Sequence, residues 1–153
     1  MQIINENKLE EARKKIDKAF KNEEKILVVA KDDNFNRKIL ENKKVDFLSG
    51  VELGERRDKI KQRDSGLNQV FCKLAKENNI IICIDFKEFE GNDFIKSKFL
   101  SRVIQNISLC KKYDVKMVIT NYRRNKKDLN AFLLGLGMST SMAKYAVENS
   151  FNF

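Results

Sequence analysis

The chain has 153 residues, with 31 lysines and arginines against 22 aspartates and glutamates, and it contains neither histidine nor proline. This length suits one α/β domain, residues 1–153, and the formal net charge of +9 favours a partner that carries phosphates. The longest apolar runs, at Ile26 to Ala30 and Ile80 to Ile84, are far shorter than the roughly 18 residues of a membrane helix. The first residues also lack the regions of a signal peptide, so we expect a cytoplasmic protein that contacts no membrane.

Strand and helix patterns alternate along the chain. In chain order they predict a strand at Gln2 to Ile4, a helix at Lys8 to Lys21, a strand at Ile26 to Ala30, a helix at Asn34 to Asn42, a strand at Val45 to Leu48, a helix at Leu67 to Asn78, a strand at Ile80 to Ile84, a long helix from about Phe94 to Tyr113, a strand at Met117 to Thr120, and two closing helices. The strands are short and continuously apolar, which is typical of strands buried on both faces. The sequence therefore predicts an α/β fold with a parallel sheet and helical crossovers.

Three cysteines, Cys72, Cys83 and Cys110, stand far apart among apolar neighbours. Their odd number and wide spacing fit neither a disulfide framework nor a zinc site. We expect reduced thiols in the core.

Basic residues concentrate at two places, each in the connection that follows a predicted strand. The first concentration, RRDKIKQR, follows Val45 to Leu48, and the second, YRRNKK, follows Met117 to Thr120. Because ligands of parallel α/β folds bind beyond the carboxyl ends of the strands, a phosphate-binding role is favoured over simple solvated loops. The basic residues concerned are Arg56, Arg57, Lys59, Lys61 and Arg63 in the first and Arg123, Arg124, Lys126 and Lys127 in the second.

The stretch RDSGLN forms a corner that leads into a helix. Asp64 or Ser65 is expected to cap this helix, and Gly66 permits a tight entry. The expected buried stripe comprises Leu67, Val70, Phe71, Leu74 and Ala75, and the exposed side comprises Asn68, Gln69, Lys73 and Lys76. A helix N-terminus beside Arg63 could hold a phosphate, although Asp64 and Ser65 are interpreted as caps first and as ligand contacts second.

The long helix predicts a similar division of its faces. Its expected core stripe comprises Phe99, Leu100, Val103, Ile104 and Ile107, and its expected exposed side comprises Lys98, Arg102 and Gln105.

The absence of histidine removes the usual general base and the commonest metal ligand. Carboxylates near the strand ends lack a recognisable two-metal spacing; they are Glu52, Glu55, Asp58, Asp85 and Glu88. No glycine-rich nucleotide-binding motif is present, and the sequence GLG at Gly135 to Gly137 is expected to end a helix before a cap at Ser139 or Thr140. We therefore predict neither a catalytic residue nor a metal site.

Three segments together resemble a known family. They are RDSGLNQVFCKLAKENNI, LSRVIQNISLCKKYDVKMVITNY and DLNAFLLGLGMSTSMAKYAV. In this order they are similar to the TIM-barrel protein subunit of archaeal and eukaryotic ribonuclease P. In archaea this subunit is called ribonuclease P protein component 3. The resemblance covers roughly residues 45 to 148.

The resemblance implies a subunit that supports removal of the 5′ leader from precursor tRNA while a catalytic RNA performs the chemistry. It implies a barrel of the polymerase and histidinol phosphatase type without its metal site, no cofactor in this chain, and Mg²⁺ for the RNA of the holoenzyme. The implied partners are the catalytic RNA, precursor tRNA and other protein subunits, notably a small ferredoxin-like one. Matching positions are Arg63, Ser65, Gly66, Leu67 and Asn68 at the corner, Lys73 on the next helix, and Arg102 and Asn106 on the long helix.

The sequence also departs from the family pattern. Family members usually have further amino-terminal residues that form the first barrel strands, so we expect a partial or shortened barrel. Its open edge, at Gln2 to Ile4 or Ile26 to Ala30, should then be buried by another polypeptide. The change at Phe71, where leucine is common, is tolerable in a core.

The residues predicted to contact RNA are Arg56, Arg57, Lys61, Arg63, Ser65, Asn68, Lys73, Lys98, Arg102, Arg123, Arg124 and Lys126, and the predicted structural corner comprises Asp64, Gly66 and Leu67. Two alternatives remain open: a metal-dependent phosphoesterase of the same fold, and a structural α/β domain whose positive charge is incidental.

Overall fold

The structure is a computed structural model that describes residues 1–53, 57, 58, 60, 63–86, 93–122 and 125–153, with the side chains of 93–95 excepted. Its elements, in chain order, are β1 (Gln2–Ile4), α1 (Leu9–Lys21), β2 (Ile26–Val29), α2 (Asp33–Leu40), β3 (Phe47–Ser49), α3 (Gln69–Glu77), β4 (Ile81–Asp85), α4 (Asp93–Tyr113), β5 (Met117–Thr120), α5 (Lys126–Gly135) and α6 (Thr140–Glu148). The predicted elements are confirmed, with bounds that shift by one or two residues. No helix in the described ranges is long and apolar enough to cross a membrane.

The five strands form one parallel sheet in the order β1-β2-β3-β4-β5. Each strand pairs with the next one in the sequence, so every crossover advances in the same direction. Because such crossovers are right-handed, they place their helices on one face of the sheet. This is the winding of α/β barrels, and it confirms the predicted parallel sheet with helical crossovers.

Alternate strand residues point to two different cores. On β4, Ile82 and Ile84 pack with the helices in the main core, whereas Cys83 lies in a second cluster with Leu27 and Val118. This division follows from the two-residue period of a strand. All five of these side chains are buried, which explains why apolar residues predominate on both faces of the strands.

The two outer strands of the sheet differ in what covers them. On the far side of β5, Phe151 donates its backbone N–H to the Ile119 carbonyl at 3.2 Å, and Asn121 N–H donates to the Phe151 carbonyl at 3.1 Å. The Phe151 ring also packs on Phe47 of β3, with 5.3 Å between ring centroids. At the other end, β1 pairs with β2, and 37% of Ile3 is exposed.

Helix α3 buries a different stripe from the one expected. Phe71, Cys72 and Ala75 face the core, and Val70 is 52% exposed. The prediction for Val70 was wrong because the helix begins at Gln69, two residues later than expected, and packs on both the sheet and α4. The closing turn was predicted correctly: Ser139 caps α6 by accepting a hydrogen bond from Met142 N–H at 3.3 Å.

Candidate functional site

The carboxyl ends of the parallel strands meet along one edge of the sheet. The first residues beyond β2, β3 and β5 are Ala30, Gly50 and Asn121, and β4 itself ends at Asp85. Asn121 donates from its side-chain amide to Asp85 Oδ1 at 2.9 Å, which joins the ends of β4 and β5. This carboxyl edge is where parallel α/β folds bind their ligands.

The corner at residues 63–68 lies on this edge, ahead of α3. Asp64 Oδ1 accepts a hydrogen bond from Gly66 N–H at 3.0 Å, and Gly66 has a φ of +84°, a conformation that glycine adopts at low cost. Leu67 is buried, with 6% exposure. The predicted structural role of Asp64, Gly66 and Leu67 is consistent with this geometry.

The cap of α3 is Asn68, so the prediction of Asp64 or Ser65 was wrong. Asn68 Oδ1 accepts from Phe71 N–H at 2.9 Å, three residues on, as an N-cap does. Asp64 instead closes a turn before the helix, because the left-handed Gly66 separates it from the first helical residue. Asn68 itself is exposed on the surface of the corner.

We expect Asn68→Ala to lower the free energy of unfolding by about 1 kcal/mol, since a helical N–H would lose its acceptor. Urea unfolding followed by circular dichroism measures this difference. Gln69→Ala, at the exposed next position, is the matched control and should change stability by less than about 0.5 kcal/mol. Equal effects at the two positions would contradict the assignment of the cap.

Helix α4 supports the corner and the loop after β3 through three side-chain donors. Arg102 Nη1 donates to the Glu52 carbonyl at 2.9 Å, Gln105 Nε2 to the Arg63 carbonyl at 3.0 Å, and Asn106 Nδ2 to the Ser65 carbonyl at 3.0 Å. Residues three and four apart share one face of a helix, so one side of α4 holds both segments. We call Arg102, Gln105 and Asn106 the α4 clamp.

Two residues predicted to contact RNA are buried. Arg102 is 4% exposed and Ser65 is fully buried, as is Asn106. The prediction of Arg102 on the exposed side was wrong because α4 packs against the corner as well as the sheet, so its buried face is wider than its apolar stripe. Ile104, which was expected in that stripe, is 47% exposed, so that part of the prediction was also wrong. Arg102 therefore supports the loop after β3, and Ser65 is part of the corner that Asn106 holds through its carbonyl.

Glu52 is a buried carboxyl at the centre of this arrangement, with 1% exposure. One carboxyl oxygen accepts from Asp85 N–H at 3.4 Å, and the other, Oε2, has no hydrogen-bond partner among the residues described. The pKa of Glu52 is raised to about 7, mainly because burial disfavours the carboxylate. The nearby Asp85 carboxylate acts in the same direction, whereas backbone hydrogen bonds and the positive charge of Arg102 oppose the shift. Near neutral pH this side chain is thus poised between its protonated and ionised forms.

Five of the lysines and arginines that were predicted to contact RNA are exposed on the surface. They are Arg57, Arg63, Lys73, Lys98 and Lys126. Arg63 lies beside a small polar pocket that Asp33 and Gln105 also line, and its Nη1 is 3.5 Å from the Ser101 carbonyl. The predictions for Arg56, Lys61, Arg123 and Arg124 fall outside the described residues. Contact of any of these side chains with RNA stays a prediction.

Sequence reasoning missed the roles of Glu52 and Gln105. The sequence did carry a pattern that indicates the clamp: polar residues at 102 and 106 are one helical turn apart and adjoin the apolar stripe at Val103 and Ile107. No local pattern indicated that Glu52 is buried, because its neighbours in space come from β4 and α4. Among the described residues, no group of three or more His, Cys, Asp or Glu side chains could hold a metal ion.

The fold and this edge define a class of α/β proteins. Their parallel sheet is wound in one direction, and its carboxyl edge carries exposed cations and a corner that a helix supports.

Comparison with known proteins identifies the family within this class. No family model matches the chain. The ribonuclease P protein component 3 of Methanococcus maripaludis is 33% identical over 119 residues, which are 76% of this chain and 47% of that protein. That of Methanocaldococcus jannaschii is 34% identical over 105 residues, 64% of this chain and 42% of the relative.

A solved structure gives the same result. A chain in the cryo-EM structure of archaeal ribonuclease P with mature tRNA matches with a TM-score of 0.80 and 28% identity, over 95% of this chain and 63% of that one. The protein described here belongs to the ribonuclease P protein component 3 family. It spans about half the length of the curated relatives it matches.

Proposed function

We propose that this chain is an RNA-binding protein subunit of ribonuclease P, which removes the 5′ leader from precursor tRNA, and that it supports the catalytic RNA without cleaving substrate itself. The observation that carries the proposal is the likeness of 95% of the chain to a chain of archaeal ribonuclease P. The exposed cations at the carboxyl edge support it, because phosphate contacts supply most of the affinity of RNA-binding proteins.

The α4 clamp gives the corner a specific part in this function. It holds the backbone carbonyls of residues 63 and 65, so Arg63 extends from a segment that α4 holds at two points. A cation on a fixed backbone loses less conformational freedom on binding than one on a loose loop. We infer that Arg63, with Lys73 and Lys98 on the adjacent helices, contributes contacts to RNA phosphates.

Further parts of the proposal come from the family. The proposed partners are the catalytic RNA, precursor tRNA and other protein subunits, among them a small ferredoxin-like one. Mg²⁺ bound by the RNA and a cytoplasmic location remain predictions of the resemblance. The edge of the sheet at β1, where Ile3 is 37% exposed, is the surface on which we place a protein partner.

Reconstitution tests the proposed function. Precursor tRNA should be cleaved faster when the purified chain is added to the catalytic RNA and the other subunits, because the subunit stabilises the active RNA. The chain alone should cleave nothing. Cleavage by the chain alone that survives ribonuclease pre-treatment would contradict the non-catalytic role, and the absence of any effect on the reconstituted enzyme would contradict the role as a subunit.

Arg63→Ala tests the contact at the corner. We expect weaker binding to the catalytic RNA and a salt dependence whose slope falls by about one unit or less, since one phosphate contact is lost. Binding at several salt concentrations measures both quantities. Lys14→Ala removes the same charge from the exposed face of α1, away from the corner, and is the matched control. If the two variants bind alike, the corner supports the fold alone and Arg63 contacts no phosphate.

A further inference from the structure

A depression runs along the amino ends of β4 and β5, at the opposite edge of the sheet from the corner. Its larger part is a cavity of about 220 Å³ where β5 begins, and Met117, Met142 and Tyr145 are among the residues that line it. A smaller part continues to Ile81, the first residue of β4. Both parts are lined by residues 114–116, so they form one continuous depression, which we call the amino-edge groove.

The larger part of the amino-edge groove has an apolar lining. Met117 is fully buried and Val115 is 4% exposed, whereas Met142 and Tyr145 are half-buried. Methionine side chains are flexible and adapt to the shape of an apolar partner. The cavity of about 220 Å³ is smaller than the roughly 300 to 1,000 Å³ of most small-molecule sites, so it suits a single apolar side chain better than a whole small ligand.

The charge of the amino-edge groove is positive. Among the described residues that line it, the charged side chains are Lys76, Lys111 and Lys116 on one hand and Asp114 on the other. Lys76 donates to the Asp114 carboxylate, and no described carboxylate forms an ion pair with Lys111 or Lys116. The groove therefore favours a partner that carries carboxylates or phosphates.

The aromatic ring in the groove distinguishes between these two kinds of partner. Unpaired bases of RNA bind by stacking on open aromatic faces. Lys116 Nζ lies over the Tyr145 ring, 5.3 Å from its centroid, and Tyr145 also packs against the second cluster of the sheet. This ring is not an open platform for a base, so a protein segment with carboxylates is favoured over RNA.

We propose that the amino-edge groove binds an acidic segment of a partner protein. One apolar side chain of that segment enters the cavity beside Met142, and its carboxylates lie near Lys111 and Lys116. An apolar anchor in a pocket, with complementary charges at the rim, is a usual mode of peptide recognition. The groove and the corner lie at opposite edges of the sheet, so the segment can bind while RNA occupies the corner. The proposal goes beyond the function in ribonuclease P and does not depend on it.

The methionine methyl groups allow a direct test by NMR, because two of the four methionines line the groove. The folded chain, isotopically labelled at these methyl groups, is titrated with peptides in which leucine, isoleucine, phenylalanine or methionine lies between pairs of aspartates. We expect saturable shifts of the Met117 and Met142 signals with at least one of these peptides. The Met1 and Met138 signals should stay in place. A peptide with alanine at its centre should bind about tenfold more weakly, because the cavity stays unfilled.

Lys111→Glu tests the charge at the rim. We expect the affinity for the peptides to fall by about fivefold or more, because the reversed charge lies beside the bound aspartates. Lys112→Glu, at the exposed next position of α4, does not line the groove and is the matched control. It should change the affinity by less than about twofold at physiological salt, where more distant exposed charges are largely screened. An unchanged Met138 signal verifies that each variant is folded.

An oligouridylate supplies the comparison with RNA. Shifts of the Met117 and Met142 signals with the oligouridylate, but with none of the peptides, would assign the groove to RNA and overturn the proposal. The absence of shifts with every peptide would overturn it as well. So would equal binding of the peptide with alanine at its centre, or an equal loss of affinity in Lys111→Glu and Lys112→Glu, since net charge alone would then attract the peptides.

Discussion

Arg102→Ala should lower the free energy of unfolding by about 2 to 4 kcal/mol, the largest effect we expect from a single change at the carboxyl edge. Arg102 is 4% exposed, and its Nη1 donates to the Glu52 carbonyl at 2.9 Å. Removal of the guanidinium leaves that carbonyl without its donor and takes away a positive charge that interacts with the Glu52 carboxyl. Chemical denaturation at neutral pH measures the loss.

Lys98→Ala is the matched control for Arg102→Ala. Lys98 lies one turn earlier on the same helix and is exposed, so its loss should change stability by less than about 0.5 kcal/mol. We expect the opposite order for RNA binding per folded molecule, where Lys98 is a predicted contact and Arg102 is a support. Equal stability of the two variants would show that Arg102 does not support the loop after β3.

Glu52→Gln should change how stability depends on pH. In the folded protein the pKa of Glu52 is about 7, because burial disfavours the carboxylate, and its ordinary value is 4.5. Below pH 4.5 the Glu52 carboxyl is protonated in both the folded and the unfolded state, so the stability contributed by the raised pKa is fully present. Between pH 4.5 and about 7 the carboxyl loses its proton only in the unfolded chain, so the free energy of unfolding falls as the pH rises. Above about 7 that contribution is lost.

The variant lacks this titration. The wild-type protein should therefore lose up to about 3 kcal/mol of stability relative to Glu52→Gln as the pH rises through this interval. Urea unfolding at a series of pH values gives the difference. Glu77→Gln, at an exposed position on α3, controls for removal of a carboxyl group as such. A difference between wild type and Glu52→Gln that stays constant across the interval would refute a raised pKa at Glu52.

The sequence by itself determined the order and nature of the elements. Strands such as Met117 to Thr120 are buried at every position and mostly apolar, because one set of alternate side chains meets the helices and the other set lies on the face of the second cluster. Gly66 marked the corner because its left-handed conformation suits glycine, and Ser139 marked the start of α6. These features depend on a residue and its near neighbours in the chain, so local patterns reveal them.

The tertiary structure alone decided which polar side chains near the carboxyl edge are buried supports and which are exposed. Arg102 fits an exposed helical position by its charge, yet it is buried because its partner is the carbonyl of Glu52, fifty residues earlier in the chain. The raised pKa of Glu52 likewise depends on segments that are remote in sequence, since Asp85 lies on β4 and Arg102 on α4. Hydrogen bonds to backbone carbonyls require no particular residue type at the acceptor. The sequence of the accepting segment therefore carries no sign of them, and only packing of α4 against the corner creates them.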